Sequence, residues 1–232
     1  MIGEIFNQVL YRPLFNILVF FYNIIPGHDF GLAIILITLL IRVILFPLSK
    51  KGIKSRKKME EIQPKIKEIQ KKYKDKEEQA KHLMAFYKEN KINPASGCLP
   101  LLVQLPILIA LYRVFIDAIN PERLNLLYSF INNPGALNVS FLGLVDLSIP
   151  SVFLAVLAGI FQFIQSKIMF KDTATGAGKQ AGIQKTMSRQ MIYFMPLITV
   201  FISLKFPAGL PLYWTVSTLF GIGEYLLVMK KS

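Results

Sequence analysis

Long apolar runs, separated by polar segments, dominate the pattern of hydrophobic and polar positions along this chain. The first of them covers residues 30–48, where Arg42 is the one charged side chain. A helix of this length extends roughly 28 Å, which is about the thickness of the hydrocarbon core of a bilayer. The run therefore predicts a membrane-spanning helix with a guanidinium at membrane depth, a placement that costs about 2.5–3.5 kcal/mol on insertion scales.

Further apolar runs follow the first one, so the pattern predicts an all-α membrane protein with five spanning helices. The fourth run is short and contains Pro196. We expect the five helices to form one core, built from residues 30–49 and residues 93–232. The predicted spans cover residues 30–49, about 99–116, 149–170, 191–204 and 210–229.

Residues 1–29 contain an apolar run that is too short to span, because its length as a helix is about 18 Å. Glu4, Gln8, Arg12 and Asn16 recur every four residues and therefore lie along one side of a helix. The pattern predicts an amphipathic helix that lies in the extracytoplasmic interface. The alternative is a signal peptide, but the basic first region and the small-residue cleavage site of such a peptide are missing.

The composition changes abruptly at residues 50–92, which carry fifteen Lys and Arg residues and seven acids. Apolar residues recur there every three to four positions, along residues 62–73 and again along residues 83–87. The spacing predicts two helices that fold back on each other as a basic hairpin, with a turn at residues 74–76. We expect Pro64 to kink or break the first helix. The charges suit a solvated face, but they also suit a surface that binds anionic lipid or ribosomal RNA.

The distribution of charge predicts the orientation in the membrane. The chain is 53% hydrophobic, yet its formal net charge is +13. Residues 50–92, 171–189 and the C-terminal tail carry twenty-one Lys and Arg residues, whereas the opposite set of segments carries Arg12, Arg123 and Lys205. The positive-inside rule therefore predicts that the hairpin and the C-terminus are cytoplasmic and that the N-terminus is outside.

Polar side chains inside the predicted spans lie at similar depth, in the cytoplasmic half. Thr38 precedes Arg42 by one turn on the same face, and Gln104, Gln162 and Gln165 lie at comparable distances from the cytoplasmic ends of their spans. Because a lone polar group in hydrocarbon is costly, these residues predict a shared hydrated cavity that opens to the cytoplasm. Two alternatives stay open, namely that Arg42 snorkels to the inner headgroups and that the glutamines form ordinary interhelical hydrogen bonds.

The residues that catalysis or metal binding needs are scarce. The chain has one cysteine and two histidines, and it contains no nucleophile elbow, nucleotide-binding loop or zinc-protease motif. Glu224 is the one acid in the predicted spans, and we expect it to reach the inner surface or to pair with a lysine. The sequence therefore predicts a protein that is not an enzyme and has no metal and no cofactor.

Several segments together resemble the YidC family of membrane protein insertases, and the resemblance covers nearly the whole chain. The order of apolar spans and basic hairpin in residues 11–42, 46–74 and 93–115 is similar to that family. Two shorter motifs extend it, FIQSK at residues 163–167 and FPAGLPLYW at residues 206–214. The chain departs from some members because it lacks a lipoprotein signal and a long basic C-terminal tail, and the second difference puts ribosome contact through such a tail in doubt.

The resemblance implies a hydrophilic groove that is open to cytoplasm and lipid, and Arg42 matches the arginine that lines it. Gln165 and Trp214 resemble other positions that line the groove. The implied function is insertion of nascent membrane proteins into the bacterial plasma membrane, alone or with the Sec translocon. The implied partners are nascent chains, membrane lipid, the Sec translocon and the ribosome, without DNA. A channel or secondary transporter with a polar site at mid-membrane is the alternative, although no inverted repeat supports it.

Overall fold

The computed structural model of the protein describes residues 2–90, 99–170 and 189–230. The basic loop at residues 171–188 and residues 231–232, which contribute to the charge argument, lie outside the described residues. The described chain is mostly helical and forms two compact units, one of Met1–Ile44 and Gln104–Gly223, the other of Leu45–Val103 and Glu224–Ser232. Its α-helices are α1 (Ile2–Phe6), α2 (Arg12–Ile24), α3 (Phe30–Glu61), α4 (Gln63–Lys72), α5 (Lys76–Glu89), α6 (Leu99–Ala118), α7 (Val152–Phe170), α8 (Met195–Ser203) and α9 (Gly209–Lys230).

Three of the described helices are long and apolar enough to cross a membrane. They are Phe30–Glu61, Val152–Met169 and Gly209–Lys230. The segment Gln190–Ser203, which contains α8, is a shorter apolar helix, and α6 also coincides with a predicted span. The helical positions therefore follow the predicted pattern, while the count of five spans stays a prediction.

The helix α3 continues past the predicted end of the first span. It passes through Pro47 and reaches Glu61 without a break. Residues 50–61 are rich in Lys, Arg and Glu, which have high helix propensity, so the change from apolar to basic sequence does not end the helix. The break comes instead at Ile62, two residues before Pro64, which lies in the first turn of α4, where a proline is tolerated.

The apolar core of the first unit lies where α2, α3, α6 and the start of α9 meet. Its members are large apolar side chains from these helices together with a few alanines that let the helices approach. The fully buried side chains include Phe15, Leu18, Val19, Ile34, Ile37, Leu111 and Val114.

Small residues bring α7 and α8 together in the same unit. Ala155, Ala158 and Gly159 of α7 are all buried. A Cβ atom at Gly159 would overlap the side chain of Val200 on α8, and it would also lie 3.3 Å from the carbonyl oxygen of Pro196. The close approach of the two helices therefore depends on a residue without a side chain.

The segment between α6 and α7 contains regular structure that the all-α prediction omitted. A 3₁₀ helix covers Pro121–Leu126, and two antiparallel strands, β1 (Ser140–Phe141) and β2 (Val145–Asp146), form a hairpin. The carboxylate of Asp29 accepts hydrogen bonds from the backbone N–H groups of Leu32 (2.8 Å) and Leu142 (2.5 Å). One acid thus caps the start of α3 and ties the hairpin to it.

The polar side of the N-terminal helix contacts the protein itself. A π-helical turn, Asn7–Tyr11, joins α1 to α2. Arg12 Nε and Asn16 Nδ2 both donate to the carbonyl oxygen of Leu126, at 3.1 and 3.2 Å, and Asn16 Oδ1 accepts from the N–H of Tyr128 at 2.6 Å. The sequence pattern suggested that these polar groups face water and headgroups, but two of them satisfy the backbone of the 126–128 segment.

Two of the segments that the charge pattern assigns to one side of the membrane contact the third, the segment between α6 and α7. The N-terminal helix reaches residues 126–128, as described above. The turn that ends in Ala208 and Gly209 donates backbone hydrogen bonds to Ile149 (3.0 Å) and Leu147 (3.2 Å) in the segment before α7. These poorly basic segments therefore lie at one end of the first unit.

We expect Asn16→Ala to lower the free energy of unfolding by about 2 kcal/mol, because Asn16 is 1% exposed and its loss leaves the N–H of Tyr128 without this acceptor. The measurement is thermal or denaturant unfolding of the detergent-solubilised protein. Asn23→Ala is the matched control, since Asn23 lies on the same helix, is half-buried and donates one exposed hydrogen bond to Asn132. Equal losses for the two variants would contradict the importance of the Asn16 contacts.

In the second unit, α4 and α5 form the predicted helical hairpin. Asp75, in the segment where the turn is predicted, caps α5 by accepting from the N–H of Glu78 at 3.1 Å. Gln79 Nε2 donates back to the carbonyl oxygen of Gln70 at 2.9 Å, and the rings of Tyr73 and His82 stack with centroids 3.8 Å apart. The loop and the two helices are therefore joined by specific contacts.

Glu224 is predicted to reach the inner surface or to pair with a lysine, and its burial contradicts the first of these alternatives. Its side chain is 3% exposed, and Oε2 accepts a hydrogen bond from Ser49 Oγ at 3.0 Å. A carboxylate is costly to bury, and a hydroxyl donor offsets part of this cost.

Candidate functional site

Arg42 lies on α3 and is held by the C-terminal helix. Its side chain is half-buried. The guanidinium donates to Ser217 Oγ on α9 through Nε, at 2.8 Å, and also through Nη2. Two donors on one hydroxyl fix the orientation of the guanidinium.

Ser217 and Tyr213 extend this contact into a network. The two residues are four apart on α9 and therefore share a face. The Tyr213 hydroxyl interacts with Ser217, and Gln104 Nε2 on α6 donates to the same hydroxyl. The polar chain Arg42–Ser217–Tyr213–Gln104 thus links α3, α9 and α6.

Gln165 on α7 contacts α9 just after Ser217. Its Nε2 lies 3.5 Å from the carbonyl oxygen of Thr218, at the long limit of a hydrogen bond. A Cβ atom at Gly221 would overlap Gln165 Nε2, so the glycine provides the space for this amide. Three residues that the sequence singles out, Arg42, Gln104 and Gln165, therefore contact one segment of α9, residues 213–221.

The other predicted site residues, Thr38, Gln162 and Trp214, do not take part in this network. Thr38 is 0% exposed, and its hydroxyl donates to the carbonyl oxygen of Ile34 at 2.6 Å, so it cannot line an open cavity as expected. Gln162 Oε1 accepts from the hydroxyl of Thr199 on α8 at 2.6 Å, which is the ordinary interhelical bond that was the alternative for the glutamines. Trp214 is half-buried on α9, next to Tyr213.

Tyr213 and Ser217, which carry the network, are not among the site residues predicted from the sequence. Both are buried, as are the neighbouring hydroxyl residues Thr215 and Thr218. A signal for them was present, because three small hydroxyl residues within four positions of an apolar span are typical of a helix that packs on other helices. These residues carry no charge and therefore did not stand out beside Arg42.

The arrangement brings a guanidinium together with amide and hydroxyl groups. Among residues 2–90, 99–170 and 189–230, no group of three or more His, Cys, Asp or Glu side chains could hold a metal ion. Such a site can bind an anion through the guanidinium and through hydrogen bonds from the neighbouring amides and hydroxyls. Because this binding is non-covalent, the anion can be released again.

The fold and the site define a helical membrane protein that holds an arginine among polar partners within its helices. The chain belongs to the YidC family, since the family model described as 60Kd inner membrane protein matches residues 20–232. A protein of Fusobacterium nucleatum named membrane protein insertase YidC is 35% identical over 225 residues, which are 96% of this chain and 98% of that protein. The resemblance noted in the sequence is therefore confirmed.

Other relatives agree with this assignment. A membrane protein insertase YidC of Oceanobacillus iheyensis is 38% identical to this chain. The match covers 88% of this chain and 76% of that protein. A solved structure described as an active YidC insertase with its first transmembrane domain resolved has a TM-score of 0.56 and 33% identity, over 84% of this chain. The chain spans 40% of that solved chain and 36% of the Haemophilus influenzae relative, so some family members are much longer.

Proposed function

We propose that this protein is a membrane protein insertase, which moves hydrophobic segments of nascent membrane proteins from the cytoplasm into the bilayer. The observation that carries the proposal is Arg42, which α9 holds within the first unit through Ser217, in a chain that belongs to the YidC family. An intramembrane arginine is costly, and a protein keeps one where it binds or moves charged groups.

The proposed topology has five spans across a bacterial plasma membrane. The N-terminus lies outside, and the hairpin and the C-terminus lie on the cytoplasmic side. The support from charge is the positive-inside rule. The support from packing is that the N-terminal helix and the turn before α9 each contact the segment between α6 and α7, as expected for segments on one side.

The proposed path for a client is a hydrated groove beside the polar face of α9. Arg42, Gln104, Gln165 and Trp214 would line it. Thr38 and Tyr213 are buried and would lie behind the lining, and Gln162 contacts Thr199 on α8 rather than α9. The costly step of insertion is the passage of the client's polar tail through hydrocarbon. A groove that reaches half-way shortens the dry part of this passage.

The proposed role of Arg42 is to attract an acidic residue of the client's tail. An ion pair at 4 Å is worth roughly 4 kcal/mol at an effective dielectric constant of about 20. Placing one aspartate at the centre of a spanning helix costs about 2.5–3.5 kcal/mol. The two values are of the same order, so one arginine can offset one acid and still release it.

The proposed partners follow from the same distribution of charge. The hairpin of α4 and α5 carries an excess of Lys and Arg and would contact nascent chains, ribosomes or anionic lipid on the cytoplasmic side. The Sec translocon is proposed as a partner for clients that need it. The apolar segment's own partitioning and the membrane potential would drive insertion, so no cofactor enters the mechanism.

The test of this function is insertion of a single-span client into liposomes that contain the purified protein, combined with site-specific photocrosslinking. A crosslinker at Trp214 is expected to capture the client during insertion. The matched control is a crosslinker at Leu219, which lies on the same helix but is exposed on its apolar side. Insertion without any crosslink from Trp214 would contradict direct passage along α9 and favour a scaffolding role. Ion flux through the liposomes without insertion would favour a channel.

A further inference from the structure

A second polar feature of the first unit lies far along α6 from Gln104, at the end of the helix that precedes the 3₁₀ helix Pro121–Leu126. It is a cavity of about 380 Å³ lined by Asn7, Tyr11, Arg113, Asp117 and Arg123. Three elements contribute to it, namely the π-helical turn Asn7–Tyr11, α6 and the 3₁₀ helix. A cavity of this size exceeds the volume of a single water, about 30 Å³, by more than tenfold, so it can hold a headgroup.

The carboxylate of Asp117 ties the walls of the cavity together. Its Oδ2 accepts a hydrogen bond from the Tyr11 hydroxyl at 2.8 Å, and its Oδ1 lies 3.4 Å from Arg123 Nε. Burial, and then the hydrogen bond to Asp117, raise the pKa of Tyr11 above its usual range, so the hydroxyl stays protonated and keeps donating. Both carboxylate oxygens are therefore engaged by wall residues.

The cavity has an excess of positive charge. Arg113 and Arg123 contribute two cations, and Asp117 contributes one anion. The Arg113 guanidinium lies 5.5 Å from the centre of the Phe6 ring, and among the described residues no Asp or Glu oxygen lies within 4 Å of it. A planar guanidinium without a carboxylate partner, at the edge of a polar cavity, is suited to bind the oxygens of a phosphate group.

Elements that line the cavity also carry exposed apolar side chains. Leu105, Ile109 and Ile116 are exposed and share one face of α6 with Arg113, because the four positions are spaced by four, four and three residues. Ile5 on α1 and Val9 on the π-helical turn are also exposed. A ligand in this place would meet a cationic headgroup site and an apolar surface at once, which is the chemistry of a phospholipid rather than of free phosphate.

We propose that this cavity binds an anionic phospholipid, with Arg113 and Arg123 holding the phosphate and the acyl chains lying along the exposed face of α6. The single negative charge of a lipid such as phosphatidylglycerol matches the excess charge of the cavity. This site is distinct from the proposed groove at Arg42, and it joins the N-terminal helix to the core through a lipid. In the proposed topology it faces the outer leaflet, but its chemistry does not depend on that orientation.

The test is native mass spectrometry of the full chain in detergent with phosphatidylglycerol or phosphatidylcholine added in equal amounts. The wild-type protein is expected to retain phosphatidylglycerol in preference, and Arg113→Gln is expected to lower this retention roughly tenfold, as for the loss of one charge-assisted hydrogen bond. Lys205→Gln is the matched control, because it removes an exposed positive charge that is not part of the cavity. It is expected to leave retention unchanged.

Further arms of the experiment keep the proposal falsifiable. Arg113→Lys, which keeps the charge, is expected to recover most of the retention, and thermal unfolding checks that each variant is folded. Glycerol phosphate in excess over the lipid is expected not to displace the lipid. If glycerol phosphate displaces the lipid when the two are at equal concentration, the site binds a soluble phosphate and the lipid assignment is wrong. Equal retention of the two lipids, or full retention by Arg113→Gln, would overturn the site. No client is present, so the result is independent of the insertase proposal.

Discussion

Replacing Arg42 with alanine is expected to lower the insertion of a client with one acidic residue in its translocated tail by roughly tenfold, which corresponds to about 1.4 kcal/mol. The reason is the loss of the positive charge that Ser217 orients on α9. The full ion-pair value of roughly 4 kcal/mol is not expected, because water in a groove screens the interaction. The measurement is the rate of protease-protected client in liposomes that contain each variant.

Two comparisons separate charge from packing in this experiment. Arg42→Lys keeps the charge and is expected to retain most of the activity, although it donates to Ser217 with a different geometry. A client whose tail is neutral is expected to insert at the same rate with the wild-type protein and with Arg42→Ala. If Arg42→Ala inserts the acidic client as fast as the wild-type protein does, the electrostatic role of this residue is wrong.

Replacing Gly159 with leucine is expected to lower the free energy of unfolding by about 3 kcal/mol, since extra atoms in a well-packed helix interface force the neighbours apart. Any Cβ at this position overlaps Val200 on α8, and Pro196 leaves little room on the other side. Helix association in a membrane depends on such close contacts, because no hydrophobic driving force exists between apolar helices in lipid. The measurement is the thermal unfolding midpoint of the detergent-solubilised protein.

The control for Gly159 is Val156→Leu on the same helix. Val156 is exposed on the apolar side of α7, so one more methylene there is expected to leave the midpoint nearly unchanged. A similar midpoint for Gly159→Leu and for the wild-type protein would mean that α7 and α8 can separate at little cost. The role assigned to the glycine would then be wrong.

The positions of the helices could be predicted from the sequence because a helix in an apolar environment needs a continuous apolar run. Pro64 marked the break between α3 and α4, and the turn before Lys76 followed from its polar residues. The end of the first span did not mark the end of α3, since the basic residues that follow favour helix as strongly as the apolar ones. The change in composition therefore predicted where the environment of the chain changes, whereas helix propensity determined that the backbone stays helical beyond that point.

The candidate site was predictable in part. Arg42 could be recognised because a charge in an apolar run has a large free-energy cost. The partners on α9 could not, because Ser217 and Tyr213 become informative only when a tertiary contact brings a charge to them. Thr38 shows the opposite error, since helical periodicity gives the face of a residue but not whether that face is open or packed.

The dependence of Arg42 on α9 has a consequence for biosynthesis. Ser217 is made 175 residues after Arg42, which is a delay of roughly 10–35 s at synthesis rates of 5–20 residues per second. During that interval α3 carries its guanidinium without the hydroxyl that later holds it. Assembly of the site therefore completes only when the C-terminal helix enters the membrane, so a chain arrested before α9 contains the arginine but not the finished site.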